Sequence, residues 1–379
     1  MRLSAVALGA PSAFVFVSAL SSSSVVASEE APPRYGLRLE AGAEYDSNPT
    51  RRETVAGGEA PIFVPSPAAR VAVAGDVDQR LGERFQLAFA GGVAARRLID
   101  PAAQPEDLVV SDGHLSLSLL GERSTLSAVG SAYDVVQRAD SLLEARDFRS
   151  LSAGARGILQ HGQNRFFVAA GWRWFAFKPD DTFDFAGPTG TLGYRRTPQF
   201  AFDGSAEWEF GAQGSIESRG FLRRYCPTTS CDAGGTLVRQ DRFITFETDV
   251  TRTADQLFGL GLALQHNDSV RFGETLSRLL AHARLVWLLP WELSLAARAE
   301  LVATRYSDSV PVGHDSQSGA FITIEEEGRS SLRLDLSRPV GRRFEAGVRY
   351  TFYTQIPVGG TVRFSRHLGF VYLALSLGR

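Results

Sequence analysis

The feature that most constrains the fold is an alternation of apolar and polar side chains that repeats every second residue. From Phe344 to Tyr353, apolar residues occupy the even-numbered positions, and mostly charged, polar or glycine residues lie between them. From Leu37 to Asp46, the odd positions are apolar or small and the even positions are mostly charged. Successive side chains of a β-strand point to opposite faces of the sheet, so this period predicts strands with one apolar and one charged face.

Segments of this kind fill most of the chain, and their number is even. Of the 379 residues, 44% are apolar and 22% are charged, a mixture that excludes a disordered chain. We predict sixteen strands, near residues 35–46, 68–78, 84–97, 107–120, 124–138, 147–160, 164–177, 182–196, 199–211, 240–252, 256–267, 275–288, 291–306, 326–338, 343–355 and 364–378.

The linkers between these strands alternate in length. Those after even-numbered strands are short turns, whereas those after odd-numbered strands include the long polar stretches Ser47 to Pro67, Ala212 to Arg239 and Ser307 to Glu325. This alternation is expected when one rim of a barrel faces the periplasm and the other faces the exterior, and a soluble sandwich has no reason to keep it. We therefore predict an all-β fold, a transmembrane antiparallel up-and-down β-barrel of about 16 strands, with about 14 or about 18 as alternatives, in the outer membrane of a Gram-negative bacterium.

An aromatic residue follows most of the short turns at once. Rings repeated at one depth are typical of the interfacial girdle of a membrane barrel, whereas ordinary strand composition would scatter them. We predict that the girdle consists of Phe85, Phe166, Phe200, Phe258, Trp291 and Phe344.

The charged face of the strands is predicted to line the interior. A sheet with an apolar outer face must close in lipid, because each unpaired backbone group there costs several kcal/mol. A barrel of this size is too wide for side chains alone to fill, and its inward charges need water or partners. For any single charge, the favoured interpretation is a cross-strand ion pair that stiffens the wall. As a set, the charges indicate a hydrated lumen that favours cations if the carboxylates are not neutralised. The predicted lumen residues are Arg38, Glu40, Glu44, Arg156, Arg173, Asp203, Glu207, Glu209, Glu247, Asp249, Arg284, Arg298, Glu300, Arg333, Asp335, Glu345 and Arg349.

The first residues have the pattern of an export signal. A basic start at Met1-Arg2 is followed by an apolar stretch from Leu3 to Leu20 and by small residues ending at Ala27. We predict a cleaved signal peptide at residues 1–27, a short periplasmic segment at residues 28–34 and the outer-membrane barrel at residues 35–379.

The chain has two cysteines, Cys226 and Cys231, in a polar segment. Because an exported chain meets an oxidising compartment, we predict a small disulfide-closed loop; a metal site there would lack nearby histidines and is not predicted. The surrounding stretch, Ala212 to Arg239, is our candidate for a loop that folds inward and constricts the lumen.

No catalytic signature is present: the sequence has no Gly-x-Ser-x-Gly elbow, no His-Glu-x-x-His, no P-loop and no dinucleotide fingerprint. We predict that the chain is not an enzyme and needs no cofactor. A barrel-embedded hydrolase is kept as a third alternative, because the residues of such a site come from distant strands and leave no local motif.

The net charge of −2 gives no reason to expect nucleic acid as a partner. Phe175, Phe177 and Tyr353 are candidates either for stacking on sugars or for filling space near a rim.

A short motif begins the barrel. Glu44-Tyr45-Asp46-Ser47-Asn48-Pro49 resembles the Tyr-Asp-x-Asn signature of outer-membrane β-barrel porins that accompany exopolysaccharide secretion genes, and the chain is similar to the barrel of poly-N-acetylglucosamine exporters. The resemblance implies passage of a polysaccharide through the outer membrane, with periplasmic machinery that delivers the chain.

These observations predict a conduit, most specifically one that exports an exopolysaccharide or capsular polysaccharide. The alternative is a general or substrate-selective diffusion porin for small solutes. The expected partners are outer-membrane lipid, the barrel-assembly machinery and a periplasmic polysaccharide-export protein, with the polysaccharide or a small solute as cargo. Charge swaps at Glu207, Glu209, Glu247 and Asp249 are expected to change the ion selectivity of an open pore.

Overall fold

The alternating segments form a closed barrel of sixteen long strands. The computed structural model describes residues 34–49, 54–55, 64–138, 147–178, 183–198, 200, 206–225, 237–270, 275–306, 329–354 and 362–378. In chain order the strands are β1 (Arg34–Asp46), β2 (Thr54–Val55), β3 (Ser66–Leu81), β4 (Phe85–Leu98), β5 (Leu108–Leu120), β6 (Ser124–Gln137), β7 (Phe148–His161), β8 (Asn164–Phe177), β9 (Phe185–Arg196), β10 (Glu207–Tyr225), β11 (Leu237–Thr253), β12 (Gln256–Ser269), β13 (Leu276–Leu288), β14 (Ser294–Tyr306), β15 (Ser330–Val340), β16 (Phe344–Thr354), β17 (Val362–Arg363) and β18 (Ser365–Leu377).

Each long strand pairs antiparallel with the long strands before and after it in the chain, and β1 also pairs with β18 to close the sheet. At this junction, Leu37 lies opposite Leu377 and Asp46 lies opposite Leu368. The two short strands, β2 and β17, pair only with each other in the linkers after β1 and before β18. The predicted fold class and the count of sixteen barrel strands are confirmed.

The outer face of the barrel is apolar. On β12, Leu260, Leu262 and Leu264 are 44%, 46% and 56% exposed, whereas Ala263, which points to the interior between them, is 8% exposed. The long strands have between 11 and 19 residues, enough to cross the hydrocarbon core of a bilayer. In a closed barrel every backbone ladder is paired, so an apolar exterior of this kind is stable in lipid. The chain is an outer-membrane barrel.

No helix in the described part of the chain is both long enough and apolar enough to cross a membrane.

Two of the predicted boundaries are wrong. Within the strand predicted at 199–211, the described residues Phe200 and Ala206 lie outside any strand and β10 begins at Glu207; residues 199 and 201–205 lie outside the described ranges. The prediction that Ala212 to Arg239 forms an inward-folded loop is wrong for residues 212–225 and 237–239, because β10 continues to Tyr225 and β11 begins at Leu237; residues 226–236 lie outside the described ranges. Alternation does not predict this part of β10 because both of its faces are polar, yet its backbone pairs with β11, with an irregularity between Gly220 and Arg224.

Several predictions concern residues outside the described ranges. These are the signal peptide at residues 1–27, residues 28–33 of the predicted periplasmic segment, the disulfide between Cys226 and Cys231, and the lumen position Asp203.

The apolar exterior leads to a direct test. Replacing Leu262, at the centre of β12, with arginine is expected to lower the free energy of unfolding by about 2–4 kcal/mol, because the charge enters the middle of the bilayer. Leu262→Ile is the matched control and is expected to cost under about 1.5 kcal/mol. Urea-induced unfolding in phospholipid vesicles measures both, and equal effects of arginine and isoleucine would contradict the placement of this face in lipid.

Candidate functional site: the inner wall of the barrel

The inner wall carries the charged positions of the alternating strands. On β1, Glu40 and Glu44 are buried while Leu39 and Tyr45 are exposed. All predicted lumen residues except Asp203 lie on described strands, at positions whose alternation points away from the apolar exterior. The same face also holds charged residues that were not predicted, among them Arg70, Asp76, Asp78, Arg96, Asp112, Arg165, Arg195, Glu217, Arg219, Arg239, Asp241, Arg278 and Arg366.

The first cluster lies where β1, β18 and β16 meet. Arg349 donates from Nη1 to Glu40 Oε1 at 2.9 Å and from Nε to Asp335 Oδ2 at 2.6 Å. The hydroxyl of Tyr372 donates to the other oxygen of Asp335 at 2.7 Å, and all four side chains are buried or nearly so. A buried ion pair is stable only when further hydrogen bonds satisfy its remaining atoms, as they do here. We call Glu40, Asp335, Arg349 and Tyr372 the seam network.

Next to it, Arg38 makes a two-pronged contact with Glu345. Nη1 and Nη2 of Arg38 donate to Oε2 and Oε1 of Glu345 at 3.2 and 3.0 Å. This contact reaches from β1 to β16 across the intervening β18, so inward side chains link strands that are not paired directly.

The second cluster surrounds Asp46, at the end of β1. Its carboxylate, 0% exposed, accepts hydrogen bonds from Arg366 Nε at 3.0 Å, from Arg96 Nη1 at 3.0 Å and from the backbone N–H of Asn48 at 3.0 Å. Glu44 accepts from Arg70 Nη1 at 3.2 Å. Both acids belong to the motif singled out in the sequence, and their partners lie on β3, β4 and β18.

A band of aromatic rings crosses the wall from β6 to β10. Consecutive ring centroids from Tyr133 through Phe148, Phe175 and Phe185 to Phe221 lie 5.5, 5.4, 4.9 and 5.5 Å apart. The rings of Tyr133, Phe148 and Phe175 retain partial exposure, whereas Phe185 and Phe221 are buried. We call these five residues the aromatic belt.

Arginines lie against the belt. The guanidinium group of Arg219 is 4.8 Å from the ring centroid of Phe185, and that of Arg239 is 4.3 Å from Phe221. Their charges are balanced by nearby acids: Arg219 Nε donates to Glu217 at 2.8 Å, and Arg239 Nη2 donates to Asp241 at 2.6 Å. The predicted lumen residue Arg173 also contacts Glu217, at 3.1 Å.

A third charged cluster lies on β9 to β11. Arg195 donates to Glu209 and, at 3.3 Å, to Asp249. On the same strands, Gln213 Nε2 donates to Glu247 at 2.6 Å. Glu207 lies at the start of β10 and is exposed.

Six of the predicted lumen carboxylates are therefore neutralised by arginine. Glu40, Glu44, Glu209, Asp249, Asp335 and Glu345 each lie within hydrogen-bonding distance of an arginine. The condition for a cation-favouring lumen, an excess of unneutralised acid, is not met at these positions.

The predicted girdle residues have a common location, with one exception. Phe85, Phe166, Phe258 and Phe344 are exposed and lie just after turns, at one end of their strands, and the exposed Trp291 lies in the short 3-10 turn Pro290–Glu292 before β14. Phe200 precedes β10 and packs edge-on against Trp208 and Phe210. The assignment of these rings to the membrane interface is our proposal from their exposure and position.

Among the described residues, no group of three or more His, Cys, Asp or Glu side chains is arranged to hold a metal ion. The three aromatic residues named as candidates for stacking on sugars lie on the inner face. Phe175 is part of the aromatic belt, and Phe177 and Tyr353 occupy inward positions on β8 and β16.

No protein-family model matches the chain, and no curated protein matches it. Among solved structures, it is similar to OpdQ of Pseudomonas aeruginosa, with 9% identity and a TM-score of 0.45 over 91% of this chain and 98% of that one. It is similar to a bacterial polysaccharide outer membrane secretin, with 10% identity and a TM-score of 0.42 over 91% and 98% of the two chains. OmpT of Vibrio cholerae gives 10% identity and a TM-score of 0.43 over 92% and 99%. At this level, similarity assigns neither cargo nor mechanism to this chain.

Proposed function

We propose that the chain is a conduit that exports an exopolysaccharide or capsular polysaccharide across the outer membrane, without chemistry of its own. The observation that supports this most is the aromatic belt. Sugar rings carry apolar faces of C–H groups, and flat aromatic rings pack against them. Of the five contiguous rings, the partly exposed Tyr133, Phe148 and Phe175 offer a polymer successive contacts, whereas a small solute can use only one or two at a time.

The neighbouring charges are consistent with this proposal. A sugar chain also presents hydroxyl groups, which arginine and carboxylate groups bind well. Arg173 and Glu217 lie beside the belt, with Arg173 5.3 Å from the ring of Phe185. As partners we propose outer-membrane lipid, the barrel-assembly machinery and a periplasmic polysaccharide-export protein that delivers the polymer to the rim formed by the short turns.

The second candidate is a general or substrate-selective diffusion porin. It is favoured by the width of a barrel of sixteen strands and by its charged inner wall, which need no polymer to be useful. Deleting the gene separates the two candidates. Loss of surface polymer supports export, whereas unchanged polymer with reduced uptake of small solutes supports diffusion.

A variant of the belt tests the mechanism in the complemented deletion strain. Changing Phe148 and Phe175 together to leucine is expected to lower the amount of exported polymer about tenfold, because two stacking contacts are lost. Trp174→Leu is the matched control, since Trp174 is adjacent to Phe175 but points outward and is 46% exposed. Unchanged export by the double variant, at equal barrel levels in the membrane, would contradict a role for the belt.

The hydrolase alternative has its own test. The purified barrel is expected to leave polysaccharide and lipid ester substrates intact over long incubation. Hydrolysis that disappears on replacement of one serine or histidine would overturn the proposal that the chain lacks chemistry.

A further inference from the structure

Three arginines lie side by side on the inner wall of β13, β14 and β15. Arg284 is directly opposite Arg298 in the strand register, and Arg298 is directly opposite Arg333. Directly opposed residues have Cβ atoms about 4.5–5.5 Å apart, and like charges in such pairs are destabilising. We call these three residues the arginine row.

The described wall neutralises this row only weakly. Arg284 donates to the hydroxyl of Thr251 at 2.9 Å, a neutral partner. Arg298 is 3.8 Å from Glu300, and Arg333 is 3.9 Å from Asp335. Within the described residues, no carboxylate forms a hydrogen bond with any of the three guanidinium groups.

Asp335 is moreover committed elsewhere. Its two oxygens already accept from Arg349 at 2.6 Å and from Tyr372 at 2.7 Å in the seam network. The charge near Arg333 is therefore shared with a second arginine, and the row retains excess positive charge.

Another pair of directly opposed arginines in the same wall differs from the arginine row, because one of its members contacts acids. Arg195 is directly opposite Arg165, yet Arg195 contacts both Glu209 and Asp249. The same two acids act on Arg284 only through their charge, at a longer distance, and neither forms a hydrogen bond with it. The side chains of Arg298 and Arg333 are 44% and 21% exposed, so the row is reached from the lumen mainly at Arg298.

We propose that the arginine row binds carboxylate groups of an acidic polysaccharide as it passes through the lumen. The guanidinium group is planar, always charged and suited to two-pronged binding of a carboxylate. Three such groups on adjacent strands match a chain that carries acids at regular intervals better than they match one small anion. This inference rests on the proposed export function and specifies the charge of its cargo.

The test uses the purified, refolded barrel in planar bilayers. The wild-type pore is expected to favour anions, as measured by the reversal potential in a salt gradient, and oligogalacturonate is expected to block its current. The variant R298Q/R333Q is expected to move the reversal potential toward cation preference and to weaken the block at least about tenfold, because two charge-assisted contacts are lost. Arg298→Lys is expected to keep the anion preference and to weaken the block, since the charge remains but the two-pronged geometry is lost.

Arg338→Gln is the matched control, because Arg338 lies on the same strand as Arg333 but is exposed on the outer face. Heat-dependent mobility on a gel verifies that each variant is a folded barrel. An unchanged block by R298Q/R333Q would overturn the proposal. Equal block by monomeric galacturonate at the same carboxylate concentration would overturn the polymer assignment. Because no export is needed in this assay, its outcome is independent of the gene deletion that tests the proposed function.

Discussion

Replacing Asp46 with alanine is expected to lower the free energy of unfolding of the barrel by about 3–5 kcal/mol, one of the two largest losses that we predict for a single substitution. The carboxylate is fully buried and accepts hydrogen bonds from Arg366 and Arg96. Arg366 is itself only 3% exposed. Removing the acid leaves a buried guanidinium group next to a cavity, which costs far more than the net contribution of the intact pair.

The measurement is urea-induced unfolding in phospholipid vesicles, followed by the fluorescence of the chain's 5 tryptophans. Tyr45→Leu is the neighbouring control on the outer face, where the side chain is 52% exposed, and is expected to cost about 0.5 kcal/mol or less. The double variant D46A/R366M is expected to be more stable than the sum of the two single losses predicts, because it removes both charges. Simple additivity of the two losses would contradict a direct buried ion pair.

This prediction gives the Tyr-Asp-x-Asn motif a physical meaning. The side-chain amide of Asn48 donates from Nδ2 to the backbone oxygen of Ser365 at 3.2 Å, and the backbone N–H of Ser47 donates to the backbone oxygen of His367 at 3.0 Å. Together with the pair between Asp46 and Arg366, these contacts join the first strand of the barrel to the last. The contacts of the motif are made within the barrel wall, so they account for closure and do not identify a cargo. The choice of cargo must be argued from the aromatic belt and the arginine row.

Features set by neighbouring residues in the chain could be predicted from the sequence, whereas contacts between residues far apart in the chain could not. Side-chain direction in a strand is a local property, so alternation alone separated the outer Leu37 and Leu39 from the inner Arg38 and Glu40. The partners of these inner charges depend on closure. Arg349 and Glu40, for example, are 309 residues apart in the chain and meet only because β18 lies between their strands.

The failures have physical reasons of the same kind. Polar residues on both faces of β10 hid its extension to Tyr225, because a strand that rises beyond the membrane needs no apolar face. The aromatic belt was recognised only through Phe175, since its other members are spread over β6, β7, β9 and β10 and become neighbours through register. Sequence alone also gave no sign that Arg284, Arg298 and Arg333 would be directly opposed, because the register between strands is set by the lengths of their turns.

Replacing Arg349 with methionine is the second substitution with a large expected effect, about 3–5 kcal/mol of unfolding free energy. Glu40 and Asp335, 9% and 4% exposed, would lose the cation that neutralises both. Arg298→Met is the matched comparison on the same wall and is expected to cost about 0–1 kcal/mol, since Arg298 is 44% exposed and its acid is 3.8 Å away.

The difference between these two arginines separates the structural charges of the wall from those available to a cargo. If unfolding in vesicles shows a large loss for Arg349→Met and a small one for Arg298→Met, the seam network stabilises the barrel while the arginine row is free to bind. A loss for Arg298→Met as large as that for Arg349→Met would mean that the row is held in the folded wall by contacts of its own. Its excess positive charge would then serve closure of the barrel, and an anionic polymer would not be needed to explain it.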